Sequence, residues 1–274
     1  MALLSTALLQ MRSGTDPDRN FEQARELILT AAKAGATLIA TPENTGLLQT
    51  DRPKMLAEIK PEPETRILQQ FQHLAAELNI SLLIGSLAIK LSPDKAANRS
   101  YAIDPQGQIV ARYDKIHLFD VAVSSTETWR ESDHIQPGKR AVLADLAGAK
   151  IGLTICYDLR FAALYRALAQ AGAQILSVPA AFTRVTGKAH WKTLLRARAI
   201  ENAAFVIAAA QGGVHEDGRR TWGHTMIIDP WGKVMAELDH DEPGLLQAEL
   251  DLELVAKTRR RIPVLDQKIG FTGP

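Results

Sequence analysis

The stretch Lys150-Ile-Gly-Leu-Thr-Ile-Cys-Tyr-Asp-Leu-Arg-Phe161 decides how the rest of the chain is read. Residues 151–155 form a short apolar run with β-branched side chains, the pattern of a buried strand, and the run stops at Cys156. Beyond it, Asp158 is placed to cap a helix that Ala162, Leu164, Tyr165 and Leu168 continue. The thiol therefore falls at a strand-to-helix junction, where the partial positive charge of unpaired amides favours a thiolate. Cys156 is the only cysteine, and free cysteine is more often a small buried hydrophobe than a nucleophile. The neighbouring elements have to decide between the two.

Working outward, strands alternate with helices. Towards the N-terminus the pattern predicts a strand over 3–11, a helix over 21–34 ended by Gly35, and a strand over 37–41 closed by Pro42. A helix follows over 67–78, then a strand over 80–89 and a hairpin of 99–103 with 108–113 around Asp104-Pro105-Gln106-Gly107. Residues 118–141 carry charges and hydroxyls without a period and read as a long functional loop. Past Cys156 come a helix to about 171, a strand over 174–178, a loop over 179–189, a helix over 190–203 and a strand over 205–210. Segments 221–228, 234–238 and 245–250, separated by turn signals, read as antiparallel strands, with a short helix over 252–261 and an irregular tail over 262–274. The class is α/β with mixed sheets, and no linker divides residues 1–274 into separate domains.

Composition narrows the function. With 46% hydrophobic and 23% charged residues the 274-residue chain has the make-up of an ordinary soluble globular protein with a substantial core. A formal charge of +1 argues against nucleic-acid and membrane-surface binders, which need a concentrated basic face. No apolar stretch reaches the roughly 20 residues that span a bilayer, and a single cysteine suits a reducing, cytoplasmic setting. The first residues are apolar, but no basic residue precedes them as a signal peptide requires, so they read as a strand.

In α/β sheets ligands collect beyond the carboxyl ends of strands. That rule selects Glu43, Lys115, Cys156 and the loop from Pro179 to Phe182. A carboxylate, an ammonium and a thiol form a set suited to nucleophilic acyl transfer: a base, a cation for an oxyanion, and a nucleophile. A papain-like pair of Cys156 with His117 or His190 stays open at this point, and His215, His224 and His240 lack metal-ligand spacing.

Three ordered motifs, Thr-Pro-Glu43-Asn, Tyr-Asp-Lys115-Ile-His-Leu-Phe-Asp and Leu-Thr-Ile-Cys156-Tyr-Asp-Leu-Arg-Phe, resemble those of the nitrilase superfamily of carbon-nitrogen hydrolases. The resemblance implies a four-layer α-β-β-α sandwich, a homodimer or higher assembly, and no cofactor or metal. It also implies Glu43 as general base, Lys115 as oxyanion-stabilising cation, Cys156 as nucleophile, and the Tyr157 amide as a second oxyanion donor. A second glutamate after the lysine is matched by Glu131, although residues 121–128 lack the Pro-Gly expected there. The block from Pro179 through Trp191, with Asp229-Pro-Trp-Gly, is most similar to the deaminated glutathione amidase branch; Gln211-Gly212-Gly213 departs from it, where a cysteine would precede the glycine. The implied reaction converts an amide bearing carboxylates to acid and ammonia through a thioester. Arg160, Phe182, Arg184 and His190 are candidates to bind the substrate, guanidinium being well matched to carboxylate. Arg196, Arg198 and Glu201 read instead as a helix-surface ion-pair cluster. An ω-amidase acting on 2-oxoglutaramate or 2-oxosuccinamate, a carbamoylase, a nitrile hydrolase and a non-catalytic scaffold of the same fold are the alternatives.

Overall fold

The computed structural model describes residues 3–122, 128–267, 270 and 273. Strand β1 (Leu3–Gln10) leads through Asp16, whose side chain caps helix α1 (Pro17–Lys33), to β2 (Leu38–Ala40). Helices α2 (Arg52–Glu58) and α3 (Arg66–Leu78) precede β3 (Ser81–Lys90), β4 (Ala96–Ile103) and β5 (Ile109–Asp114). These five strands and the distant β16 form one six-stranded sheet in the order β16-β1-β2-β3-β4-β5, where β16 is Gly244–Asp251. The β1-β2 and β2-β3 pairs are parallel and the others antiparallel.

The middle of the chain holds a small hairpin of β6 (Asp120–Ala122) and β7 (Thr128–Arg130), followed by a 3-10 turn at Glu131–Asp133. The loop expected over 118–141 is therefore partly regular, and 123–127 of it lie outside the described residues. Strand β8 (Val142–Leu146) then pairs antiparallel with β9 (Ala149–Leu153). The sequence pattern missed β8 because its two-residue turn, Ala147-Gly148 at φ 52° and 74°, has the positive-φ geometry of a hairpin without the usual Asn-Gly signature.

Helix α4 (Ala162–Gln170), β10 (Ile175–Ser177), α5 (Arg184–Asn202) and β11 (Phe205–Ala208) follow. Strands β12 (Gly212–Val214) and β13 (Arg220–Trp222) pair in a separate hairpin. Strands β14 (Met226–Ile228) and β15 (Val234–Glu237) complete a second six-stranded sheet, β15-β14-β11-β10-β9-β8. Helix α6 (Glu253–Arg261) ends the regular structure; of the tail expected over 262–274, residues 268, 269, 271, 272 and 274 lie outside the described residues.

Side-chain alternation explains the layers. Along β1, Ala7 and Leu9 pack with Phe21 and Ile28 of α1 and Phe71 of α3, whereas Leu4 and Leu8 point the other way into the core shared with the second sheet. Strand β2 divides likewise, Ile39 towards the helices and Leu38 and Ala40 towards the second sheet. Helices α4 and α5 cover the far side of that sheet through Tyr165, Leu168, Trp191 and Leu195. The result is the expected α-β-β-α sandwich.

Two local expectations need correction. Helix α5 starts at Arg184, six residues before the expected 190, because Thr183 caps it and Gly187 lies inside it. Gly187 is there for packing: a Cβ would lie 2.3 Å from the Trp222 side chain. Asp158 does not cap α4, which begins after Phe161 without a side-chain cap; instead it serves a five-residue 3-10 turn, Cys156–Arg160, set between β9 and α4. Cys156 therefore opens a short 3-10 turn and not an α-helix, which weakens the helix-dipole argument for a thiolate.

Candidate active site

Four chain segments converge beyond the strand ends. Glu43 follows β2, Lys115 follows β5, Cys156 follows β9, and Ala181 follows β10. Gly85 in β3 lets them approach: a Cβ there would lie 2.1 Å from the Thr41 carbonyl oxygen and 2.5 Å from Pro179 Cβ.

Lys115 and Glu43 are both 2% exposed, so each must satisfy its charge inside the protein. Lys115 Nζ donates to Glu43 Oε1 at 2.9 Å and to both oxygens of Glu131 at 3.1 and 2.9 Å. Asn98 Nδ2 bridges the two carboxylates at 2.9 and 3.2 Å. The second oxygen of Glu43 accepts the Ala181 amide at 2.9 Å, and Glu131 accepts the Phe119 amide at 2.7 Å. Glu131 thus joins the cluster although its loop lacks the expected Pro-Gly.

The electrostatics follow from this packing. Burial raises the Glu43 pKa, but the charges of Lys115 and Arg219 and the hydrogen bonds from Lys115 and Cys156 outweigh it, and the carboxyl is held below its ordinary range. Burial alone would lower the Lys115 pKa; the two carboxylates raise it, so the ammonium is kept. Burial, then the neighbouring Glu43 charge, push the Cys156 thiol well up against the opposing pull of Lys115. These directions favour a carboxylate beside a protonated thiol, an arrangement in which the carboxylate is placed to accept the thiol's proton. The backbone presents that thiol from a left-handed conformation, φ 48° at Cys156, fixed by its amide donating to the Pro179 carbonyl at 2.9 Å.

A cavity of about 430 Å³ opens onto Glu43, Lys115, Glu131 and Cys156. Phe119, Trp129, Tyr157 and Phe182 contribute aromatic walls, and Arg52, Arg130 and Arg219 contribute positive charge. Arg219 donates from Nη2 to the Ala181 carbonyl at 2.8 Å and lies 4.9 Å from the centre of the Trp129 ring.

Of the other residues expected from sequence, Tyr157 and Phe182 line the cavity, and the Tyr157 amide lies in the first turn after Cys156, where helical N–H groups lack internal acceptors. Arg160 stands over the Tyr157 and Phe182 rings at 5.8 and 5.4 Å, with Nη1 3.3 Å from His190 Nδ1. Arg184 pairs with Asp241 at 3.7 Å. Arg160, Arg184 and His190 are not among the described residues that line the cavity. Nor is His117, whose Nδ1 is engaged by Asp158 at 2.7 Å, so neither histidine of the papain-like alternative faces the thiol's cavity. The expected surface cluster is also corrected: Arg198 is buried and donates from Nε and Nη2 to the Leu159 carbonyl, in the turn that carries Cys156, while Nη1 pairs with Glu201.

Asn98 and Arg219 escape the sequence reading, which gives Asp158 only the role of a helix cap. Asn98 is one of three consecutive polar residues in β4 and Arg219 sits in a turn-rich segment, so nothing local marks either. Gln211, noted only as a departure from pattern, donates to the Glu43 carbonyl at 3.0 Å and to Ser13 Oγ at 2.7 Å, so it supports the backbone at Glu43.

Among known proteins, residues 5–260 match the carbon-nitrogen hydrolase family. A deaminated glutathione amidase of Yersinia enterocolitica is 40% identical over 264 residues, covering 95% of this chain and 91% of the relative. The human deaminated glutathione amidase is 38% identical, covering 96% of this chain and 81% of its own. The C. elegans NitFhit protein superposes with a TM-score of 0.89 at 34% identity, over 98% of this chain and 65% of that one. Saccharomyces cerevisiae Nit3, a member of branch 10 of the nitrilase superfamily, gives 0.86 at 28% identity, over 97% and 96%. A glutamate-to-glutamine mutant of the amidase from Nesterenkonia sp. AN1, 26% identical with a TM-score of 0.80 over 94% of each chain, shows covalent addition of the acetamide moiety of fluoroacetamide at its active-site cysteine. With motif order, layered fold and strand-end cluster all in agreement, the chain belongs to the carbon-nitrogen hydrolase family.

Proposed function

We propose that the protein is a thiol amidase whose substrate is deaminated glutathione. The observation that carries the reading is the convergence of Cys156, Glu43 and a Lys115 held by two carboxylates at one cavity, in a chain 40% identical to a deaminated glutathione amidase.

In this reading the Cys156 sulfur attacks the amide carbon while its proton passes to Glu43. The oxyanion is met by Lys115 and the Tyr157 amide. Glu43 returns the proton to the amine as the C–N bond breaks, leaving a thioester on Cys156. Glu43 then takes a proton from water, whose oxygen displaces the sulfur, and the acid and free thiol result. Glu131 and Asn98 hold Lys115 and Glu43 in place throughout.

The leaving group follows from the substrate. Glutathione carries a γ-linked amide and no primary carboxamide, so its deaminated form loses cysteinylglycine; the ammonia expected from sequence applies to the primary-amide alternatives. A 430 Å³ cavity whose lining, beyond the Glu43, Lys115 and Glu131 cluster, carries Arg52, Arg130 and Arg219 against the single carboxylate of Asp133 favours an elongated anionic substrate over a small neutral amide. Arg160, Arg184 and His190 remain candidates for carboxylate contacts. Residues 1–274 are taken as one hydrolase unit, since β16 closes the first sheet beside β1. A cytoplasmic homodimer is part of the same proposal, supported by the lone cysteine and by the exposed Val185 and Ile200 on α5.

The test compares kcat/KM for deaminated glutathione, by release of cysteinylglycine, with kcat/KM for 2-oxoglutaramate, by release of ammonia. A preference of at least about tenfold for the former is expected, in line with the specificity that extra binding contacts confer. A preference for 2-oxoglutaramate would replace the reading with an ω-amidase.

A further inference from the structure

We propose that Asp158 is a positioning residue that sets Lys115 and Cys156 relative to each other through a single buried carboxylate. The proposal rests on the reading of Lys115 and Cys156 as reacting groups, and adds to it the device that fixes their separation.

Asp158 is fully buried, and its carboxylate is met by four donors. Oδ2 accepts the Tyr113 hydroxyl at 2.7 Å and the Ile155 amide at 2.9 Å. Oδ1 accepts the His117 amide at 3.0 Å and contacts His117 Nδ1 at 2.7 Å, which assigns the proton on that nitrogen to the shared bond. The donors fall on two segments. Tyr113 and His117 flank Lys115 on either side, and Ile155 and Asp158 itself flank Cys156. The ammonium and the nucleophile therefore each sit in the middle of a short stretch whose two ends are tied to the same carboxyl group.

A turn cap alone would not need this arrangement. Capping requires one acceptor for one amide, which Ser or Asn supplies at little desolvation cost. A buried carboxylate is costly unless its lone pairs are filled, and here three of the four donors come from more than 40 residues away in the sequence. The surroundings stiffen the same joint: the His117 ring stacks on Phe161 at 3.6 Å, immediately before α4, and Arg198 holds the Leu159 carbonyl next to Asp158. Asp158 does not line the cavity, so its effect must pass through the backbone of the groups it holds. A misplacement of about 1 Å between reacting groups costs about 100-fold in rate.

The experiment measures kcat, KM and Tm for Asp158→Asn, Tyr113→Phe and the double variant, together with the rate at which iodoacetamide alkylates Cys156. Tyr113→Phe keeps the ring, the turn cap and the His117 contacts, and removes one of the three bonds that tie the Lys115 segment to the carboxylate. It is expected to lower kcat about five- to tenfold with KM changed less than about twofold, because the bond acts on geometry in the transition state and not on ground-state binding. Asp158→Asn is expected to lose about 10- to 100-fold in kcat, and adding Tyr113→Phe to it should cost little more, as two residues of one joint are not additive. Should Asp158→Asn fail to fold, Tyr113→Phe decides alone. Full kcat in Tyr113→Phe, or equal independent losses from the two changes, would overturn the proposal. The alkylation rate separates the two readings: a wild-type protein that alkylates at Cys156 yet hydrolyses neither amide refutes the substrate assignment. The joint itself then stands or falls on whether Tyr113→Phe slows alkylation severalfold.

Discussion

Glu43 and Lys115 stand beyond strands of the first sheet, Cys156 and Ala181 beyond strands of the second, and the two pairs are held by different forces. On the first sheet the placement is electrostatic: an ammonium saturated by two carboxylates, with Asn98 bridging them. On the second it is conformational: a cysteine at positive φ, its amide tied to Pro179 and the Ala181 peptide aimed at the base. In the proposed mechanism the charged half would supply the acid–base and oxyanion chemistry, and the constrained half the nucleophile and its angle of approach. Charge can be concentrated in one half because side-chain pairing tolerates burial when every lone pair and proton is used. Keeping the nucleophile on a stiff turn leaves it neutral until substrate and base act together.

Substitutions break the two halves in different ways. Cys156→Ala removes the only thiol and is expected to abolish turnover by about 10⁴-fold or more, with only a small loss of Tm, because Glu43 gives up the thiol's hydrogen bond but keeps Lys115 and the Ala181 amide. Measurable hydrolysis at the wild-type rate would end the nucleophile assignment. Lys115→Ala should cost about 10²- to 10³-fold in kcat through the lost oxyanion donor, and it should also unfold more readily, by about 3–5 kcal/mol, since the buried Glu43 and the part-buried Glu131 lose the cation between them. Thermal melts of the two variants side by side would test the contrast; equal Tm losses would mean that both halves are held alike.

The smallest effect is the most diagnostic of protonation. With Glu43 held below its ordinary 4.5 and Cys156 above its ordinary 9.0, the carboxylate–thiol pair persists through the interval between those values. kcat/KM should accordingly be flat from about pH 5 to about pH 9, falling on the acid side as Glu43 is protonated and on the alkaline side as the thiol ionises. The same depressed carboxyl contributes stability above 4.5 that is lost as pH falls through its folded value. A limb inside that plateau, near the ordinary histidine value of about 6.5, would point to a titrating histidine and against the pair.

Much of this was legible in the chain, but unevenly. The strands over 3–11, 37–41 and 80–89 were readable from apolar runs with turn residues at their ends, and so were the strand-end positions of Glu43, Lys115 and Cys156. Glu131 was found by motif, with no local physical signal. Strand β8 and the early start of α5 were misread because the Ala147-Gly148 turn and Gly187 have roles set by partners remote in sequence. Asp158 was assigned a local job, capping a helix, because its main partners at 113 and 117 are not visible from position 158.

The sequence by itself determined the alternation of strand and helix, the residues that end the strands and the chemical types available there, since these follow from local propensity and hydrophobic period. Tertiary structure alone decided that β16 would close the first sheet, that Asn98 and Arg219 would reach the site, and that Asp158 would join its two halves. Such decisions depend on distances across the sandwich, where a contact is fixed by packing and charge satisfaction between segments that carry no trace of each other along the chain.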